Sequence, residues 1–159
     1  MSGILVAYFS ATGTTARAAA SIADTLGAAL YEIAPVTPYT KADLNWMNPF
    51  SRSTREMKGK DNRPPLGSAE IDLAPYDTIV LGFPIWWYVA PTLVNSFLEK
   101  YDFSGKKLIL FATSGGSDFG KTALKMAPSC PGAEIVEGRV FKRKDSPEAP
   151  GQWAAALRL

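Results

Sequence analysis

The stretch ILVAYFSATGTT at residues 4–15 carries the pattern on which the rest of the chain is built. Residues 4–9 form an unbroken apolar run that stops at Ser10, as is typical of a strand buried on both faces of a parallel sheet. Residues 10–15 supply four hydroxyl side chains and one glycine. Residues 19–26 are apolar at the spacing of one helix face, and Gly27 follows as a stop. The stretch therefore predicts a buried strand, a polar turn and an amphipathic helix.

Four further runs predict strands. Two are strong, at residues 78–83 and 107–112, and two are weak, at residues 29–34 and 134–141. Helical patterns separate them at residues 91–101 and 119–126, and a shorter one covers residues 151–159. Strands that alternate with helices predict an α/β fold, a doubly wound five-stranded parallel sheet with helices on both faces.

The chain has the size of one domain. It has 159 residues, of which 47% are hydrophobic and 20% charged, so we expect a single domain over residues 1–159. Residues 35–75 break the alternation of strands and helices with prolines and scattered charge, and short helical pieces are predicted near residues 41–47 and 51–58. We expect this segment, the connection, to be an elaborated loop within the domain.

Composition excludes several kinds of chemistry. The chain has no histidine and one cysteine, so Cys–His catalysis, a serine-hydrolase triad and the usual zinc sites are excluded, and we predict no catalytic side chain and no metal site. A net charge of +2 is too small to predict nucleic-acid binding. The apolar runs are too short for a membrane span and the first residues lack the basic start of a signal peptide, so we expect a cytoplasmic protein. Any redox or group-transfer reaction is then carried by a cofactor.

Three unusual loops follow the three strongest strands, at residues 10–15, 84–91 and 113–120. Ligands of open parallel sheets bind outside the carboxyl ends of the strands, so these loops should meet at one edge. The first loop offers hydroxyls and backbone N–H groups at a helix N-terminus, which suits a phosphate monoester, whereas a helix cap alone needs one hydroxyl or two. The candidate phosphate ligands are Ser10, Thr12, Gly13, Thr14 and Thr15.

The second and third loops suit a flat ring. Three consecutive aromatic side chains in the second loop cannot all point into the core, so at least one should flank a planar ligand or a partner surface. Paired glycines in the third loop allow a ligand edge to approach the backbone closely. The candidate ring-binding residues are Pro84, Ile85, Trp86, Trp87 and Tyr88, with Thr113, Ser114, Gly115 and Gly116.

The third loop also fits another interpretation. Residues 115–122 spell G-x-x-x-x-G-K-T, the pattern of a nucleotide-triphosphate loop, between a strand and a helix. Such an enzyme also needs an acidic residue for Mg²⁺ at the end of another buried strand, and the strand ends here carry none. A P-loop NTPase therefore stays as the less favoured alternative. The dinucleotide fingerprint G-x-G-x-x-G follows none of the strands, so a dinucleotide is not expected as the resident ligand.

Three motifs together resemble those of the flavodoxin family. They are YFSATGTT at residues 8–15, PIWWY at residues 84–88 and FATSGGS at residues 111–117, and DLNW at residues 43–46 also looks like this family. The likeness runs from residue 4 to residue 153. It implies the strand order 2-1-3-4-5 and bound FMN, with the 5′-phosphate on the first loop and the ring flanked by the other two.

The resemblance implies a redox function of one of two kinds. An electron carrier would dock to a redox partner protein, whereas a reductase would use NAD(P)H to reduce a small acceptor such as a quinone, and the basic residues at 52–63 are a candidate site for the phosphate of NADPH. The pI of about 8.7 differs from that of the acidic long-chain carriers and predicts a less negative flavin potential. A flavodoxin-shaped binding or regulatory domain without a redox cofactor is the alternative, and both a monomer and a homodimer stay open.

Lys121 discriminates between the two phosphate-binding interpretations. A P-loop lysine binds the β- and γ-phosphates, whereas Lys121 is a surface helix residue if FMN is the ligand. We predict that Lys121→Ala keeps its fold and binds FMN as the wild type does, measured by the quenching of flavin fluorescence. A folded Lys121→Ala variant without FMN binding would contradict this assignment, and Mg²⁺-dependent ATP binding that the variant abolishes would favour the NTPase.

Overall fold

The structure is built on a five-stranded parallel sheet. It is a computed structural model that describes residues 3–59, 62–87 and 89–159. The strands are β1 (Gly3–Tyr8), β2 (Ala29–Glu32), β3 (Tyr76–Pro84), β4 (Lys107–Ser114) and β5 (Glu134–Lys142). They lie in the order β2-β1-β3-β4-β5, and each neighbouring pair is parallel. The predicted sheet and its strand order 2-1-3-4-5 are confirmed.

Helices cover both faces of the sheet, as predicted. They are α1 (Thr14–Leu26), α2 (Arg52–Lys58), α3 (Thr92–Lys100), α4 (Thr122–Met126) and α5 (Ala149–Ala156), and a 3₁₀ turn (Ala127–Ser129) follows α4. Helices α1 and α5 contribute to the apolar cluster on one face, and α3 and α4 to the cluster on the other. Among the described residues, no helix combines the length and the apolar character that a bilayer crossing requires.

The central strands are buried because both of their faces are covered. In β1, Val6 packs in the cluster of α1 and α5, while its neighbour Leu5 packs in the cluster of α3 and α4. In β3, Val80 likewise packs in the cluster of α1 and α5, and Leu81 packs in the cluster of α3 and α4. Each side chain of this size contributes about 1.5–3 kcal/mol when it leaves water. Two-sided burial is the physical reason why these strands read as unbroken apolar runs in the sequence.

The strand ends differ from the predicted ones. β2 ends at Glu32 rather than at residue 34, and β1 ends at Tyr8 rather than at residue 9. β3 continues one residue further than predicted and β4 two, because Pro84 pairs with Thr113 beyond the apolar run. Thr113 and Ser114 therefore belong to the end of strand β4, and the third loop begins at residue 115.

Two helices also begin at other residues than predicted. α4 begins at Thr122 rather than at residue 119, because Gly120 has a φ of 57° and left-handed backbone cannot continue a helix. α5 covers Ala149–Ala156 rather than residues 151–159. Pro150 lies in its first turn, where a missing N–H costs no helical hydrogen bond, and the proline is a signal for a helix start that the prediction placed too late.

The connection contains one helix, where two pieces were predicted. The piece near 51–58 is α2, capped by Ser51, whose hydroxyl accepts a hydrogen bond from the N–H of Thr54. The prediction of a helix at residues 41–47 is wrong, since this segment forms successive turns. The side chains of Asn45 and Asn48 accept hydrogen bonds from the N–H groups two residues further on. These local bonds compete with helical ones and end each turn.

We predict that Gly82→Ala is strongly destabilising. Gly82 pairs with Phe111 across β3 and β4, and a Cβ at this position would overlap the ring of Phe111. Because that ring is fully buried and packs edge-on against Phe141, it cannot move away freely, and overpacking costs about 1–3 kcal/mol. Urea denaturation measures the loss. Gly59→Ala is the matched control, since a Cβ there meets only ordinary contacts of 3.5 Å; equal losses in the two variants would contradict the packing argument.

Candidate functional site

Two contiguous clefts lie at the carboxyl ends of β1, β3 and β4. We call them the inner cleft, of about 670 Å³, which includes residues of the connection, and the outer cleft, of about 680 Å³, which includes residues that follow β5. Residues of all three predicted loops line both of them: Thr12, Pro84, Ile85, Trp86, Thr113, Ser114 and Gly115. The structure therefore brings the three loops to one groove.

The first loop leaves the N-terminus of α1 open. Gly13 precedes α1 with a φ of 93°, and its N–H donates a 3.0 Å hydrogen bond to the Ser10 hydroxyl, while no side chain caps the helix. Thr12 and Thr14 are exposed, with their hydroxyls 3.5 Å apart. The first N–H groups of a helix have no partner within the helix and carry a partial positive charge. Residues 12–14 thus present hydroxyls and amides that an anion can bind.

Thr15 has a different role from the other hydroxyl residues of this loop. It is buried, and its hydroxyl lies 2.7 Å from the hydroxyl of Thr113 at the end of β4. This bond joins the beginning of α1 to the strand that carries the third loop. Thr15 and Thr113 both line the inner cleft, and their mutual bond holds two of its walls at a fixed distance.

The second loop is a tight turn in which Trp86 is packed against other rings and Trp87 is exposed. The backbones of Trp86 and Val89 exchange hydrogen bonds of 2.9 and 3.1 Å. Trp86 packs edge-on against Phe9 and Tyr39, which fixes its indole. Trp87 has a left-handed φ of 49° and is 41% exposed. Trp86 is therefore a rigid wall and Trp87 an exposed one; the predicted site residue Tyr88 lies outside the described residues.

The third loop is folded around Ser114. The Ser114 hydroxyl accepts hydrogen bonds from the N–H groups of Gly116 and Ser117, at 3.1 and 2.9 Å. A Cβ built at Gly115 or Gly116 meets no atom within 4 Å. The loop is thus ordered by one side chain, and it leaves open space along its backbone where a ligand edge can lie.

Several lining residues were missed by the sequence analysis. Leu44, Trp46 and Ser53 of the connection line the inner cleft, and Arg17, Lys142 and Arg143 line the outer one. The DLNW motif at 43–46 was the available signal for the first group, but nothing in its composition indicates that it reaches the groove. Arg17 is exposed and lines the outer cleft.

A partly buried polar cluster packs against Trp86. Tyr39 packs against Trp86 and donates a hydrogen bond to a carboxylate oxygen of Glu56. The Arg52 guanidinium lies 3.9 Å from the centre of the Tyr39 ring and donates a 3.0 Å hydrogen bond to Glu56. Burial, then the neighbouring Glu56 carboxylate, raises the pKa of the Tyr39 phenol far above its usual value. The cluster ties α2 to the wall of the inner cleft.

Two of the basic residues at 52–63 are held in other contacts. Arg52 is engaged with Glu56 and Tyr39, and Arg63 pairs with Glu99 of α3 at 2.9 Å. Arg55 and Lys58 of this stretch are exposed and Lys60 lies outside the described residues, so a site for an NADPH phosphate here stays a prediction. Among the described residues of the groove, the cationic side chains lie at the outer cleft: Arg17 on α1, Lys142 at the end of β5 and Arg143 after it.

The residues of the P-loop pattern do not form an anion cradle. Thr122, which would bind Mg²⁺ in such a loop, is buried and its hydroxyl donates to the carbonyl of Phe119. α4 is only five residues long and begins after Lys121, so Lys121 lies before the helix on the surface. Among the described ranges, no cluster of three His, Cys, Asp or Glu side chains is placed to hold a metal ion.

Comparison with known proteins gives one family and a set of close structures. A flavodoxin family model matches residues 3–157. The structure of a candidate flavoprotein of Bacteroides uniformis ATCC 8492 is 47% identical, with a TM-score of 0.88 over 96% of this chain and 97% of that one. A second, from Bacteroides eggerthii DSM 20697, is 44% identical, with a TM-score of 0.87 over 99% and 100%. No curated protein sequence matches the chain.

A more distant structure contains a ligand. It is a flavoprotein of Lactobacillus acidophilus NCFM in complex with FMN, 19% identical, with a TM-score of 0.68 over 97% of this chain and 99% of that one. At this identity the likeness shows the shared fold.

We predict that the Tyr39 cluster makes the protein sensitive to alkaline pH. The folded state holds the Tyr39 proton more tightly than the unfolded chain, whose tyrosines titrate near pH 10. The free energy of unfolding therefore falls as the pH rises above about 10. Tyr39→Phe removes this contribution and, at neutral pH, a hydrogen bond to a carboxylate of about 1.5–3 kcal/mol. Urea denaturation from pH 7 to 10.5 should give Tyr39→Phe a lower free energy of unfolding than the wild type at pH 7. That free energy should also fall less steeply with pH in the variant. Equal slopes in the two proteins would contradict the role of Tyr39.

Proposed function

The chain belongs to the flavodoxin family, and on that premise we propose that it is an FMN-binding redox protein. The observation that carries the proposal is the convergence of the three loops on one groove at the ends of β1, β3 and β4. This groove has the two kinds of surface that a flavin nucleotide needs, an anion site at a helix N-terminus and aromatic and glycine-lined walls.

The residues present fit FMN. Gly115 and Gly116 leave space that a Cβ would fill. Ser10, Thr12 and Thr14, with the backbone amides at the start of α1, are neutral groups that can surround a phosphate without a histidine or a metal. We propose that these residues hold the 5′-phosphate. Trp86 and the backbone at 115–116 would then hold the ring.

The protein itself contributes by binding FMN, by shielding its ring from water and by setting the electrostatic potential around it. FMN, when bound, supplies a ring that takes up a hydride at N5 or electrons singly. Trp86 and Trp87 exclude water from the groove, and no acid or base from the chain is needed at N5. Arg17 and Arg143 at the outer cleft favour negative charge on a ligand there, whereas the neighbouring Lys142 is paired with Asp118 at 2.9 Å. The two arginines support a less negative flavin potential than an acidic rim would give.

Between the two redox functions, the groove favours reduction of a small acceptor with electrons from NAD(P)H. Trp46, which is 69% exposed, and Trp87 both line the inner cleft, and two exposed indoles at one opening suit a flat aromatic compound such as a quinone. The cationic outer cleft suits the phosphates of NAD(P)H. An electron carrier that docks to a partner protein is the second candidate, since the same groove would serve it.

We predict that the purified protein binds one FMN per chain. Titration of FMN with the protein should quench the flavin fluorescence, because stacking on an indole quenches it, and should saturate at equimolar amounts. ATP with Mg²⁺ is the control ligand and should not compete. Absence of quenching and of any saturable binding would contradict the proposal and leave a flavodoxin-shaped domain without a redox cofactor.

We predict further that NADPH or NADH, added without oxygen to the FMN-loaded protein, rapidly bleaches the visible absorbance of the flavin. The bleached protein should regain its colour when a soluble quinone is added. A persistent yellow colour with both nucleotides would contradict the reductase and favour the carrier, which waits for a partner reductase.

A further inference from the structure

The connection brings an unusual buried hydroxyl to the inner cleft. Ser53 is 2% exposed and lines the cleft, and its hydroxyl has no hydrogen-bond partner within the described residues. The two other hydroxyl residues of this turn are satisfied, since the Ser51 hydroxyl donates to that of Thr54 at 2.9 Å and accepts from the Thr54 N–H. Capping of α2 therefore does not explain why a buried hydroxyl is present at Ser53.

An unpaired buried hydroxyl is unfavourable. It loses its hydrogen bonds to water and gains none in the protein, so alanine at the same place would stabilise the isolated fold. Buried polar side chains in proteins nearly always have a partner. Ser53 lines the cleft and its hydroxyl lacks a partner among the described residues, which points to a ligand in that cleft.

The backbone at Ser53 is held by contacts on two sides. The N–H of Ser53 donates a 2.9 Å hydrogen bond to the carbonyl of Asp43. Its neighbour Arg52 is bound to Glu56 and stacks on Tyr39, which packs against Trp86. Ser53 is therefore held on a supported helix and not on a free loop, so its place beside the cleft is fixed before a ligand binds.

The residues around Ser53 belong to the site proposed for FMN. Ala11, Thr12 and Thr15 of the first loop line the same cleft, together with Trp86. We propose that Ser53 is a ligand of the cofactor, its hydroxyl donating a hydrogen bond to bound FMN. The inference rests on the proposed function, and it makes the connection part of the binding site, although none of the three loop motifs includes it.

Thr92 supplies a matched control. It is the other described residue with a buried hydroxyl that lacks a partner, and it is 7% exposed. It lines a separate cavity of about 340 Å³ between α3 and α4, which shares none of its lining residues with the inner cleft. Thr92→Val removes an unpaired hydroxyl at nearly constant volume and away from the groove.

The experiment compares Ser53→Ala, Thr92→Val and the wild type in two measurements. Urea denaturation of the FMN-free proteins should show both variants at least as stable as the wild type, because each loses an unsatisfied hydroxyl. Flavin fluorescence should give a Kd for FMN that is about tenfold higher in Ser53→Ala and unchanged in Thr92→Val. The increase of Tm on addition of FMN should be smaller in Ser53→Ala alone.

The outcomes separate the inference from the function on which it rests. Wild-type affinity for FMN in Ser53→Ala overturns the inference and leaves the proposed function standing. A marked loss of stability in FMN-free Ser53→Ala also overturns it, because the hydroxyl then has a protein partner. A wild-type protein that fails to bind FMN overturns the proposed function itself, and the inference with it.

Discussion

The pairing of β3 with β1 on one side and β4 on the other is the constraint on which the site depends. Tyr8 pairs with Gly82, and Gly82 pairs with Phe111, so the three strands are held in one register at their carboxyl ends. Backbone hydrogen bonds continue this order into the loops, from the N–H of Phe9 to Gly82 and from the N–H of Ile85 to Thr113, each at 3.0 Å. The three loops lie close together because they continue from adjacent strands whose carboxyl ends are aligned.

Gly82 allows the three strands to keep this register while the core around Phe111 stays closely packed. Since it has no Cβ, the ring of Phe111 lies across β3 and meets Phe141 and Trp153 on the face covered by α1 and α5. On the same strand, Leu81 and Phe83 fill the cluster on the face of α3 and α4. Burial of both faces holds the strands rigid, and rigid strand ends give loops of defined position.

The connection contributes to the site through tertiary contacts. Its turns and α2 reach the groove because Tyr39 packs on Phe9 and Trp86 and is bound to Glu56, while Arg52 covers the ring. An edge-on aromatic contact with a charge-assisted network behind it is a specific arrangement, and it positions one wall of the inner cleft.

These contacts also explain what the sequence could and could not predict. The parallel sheet and the three loops were predictable, because apolar runs and loop residues are local patterns and the rules of parallel sheets place strand ends together. The strand order came from the resemblance to the flavodoxin family. The prediction of a helix at residues 41–47 was wrong because the side chains of Asn45 and Asn48 accept hydrogen bonds from backbone N–H groups two residues further on. The approach of Ser53 and Trp46 to the groove was not predictable, since it depends on long-range packing that no local period encodes.

The central claim is that one FMN binds where the three loops meet. The most direct measurement is a titration of ¹⁵N-labelled protein with FMN, followed by amide chemical shifts. We predict saturable shifts at Gly13, Trp86 and Gly115, and none at Thr92 and Ser129 of the cavity between α3 and α4. Shifts confined to that second cavity, or the absence of saturable shifts at the ends of β1, β3 and β4, would contradict the account.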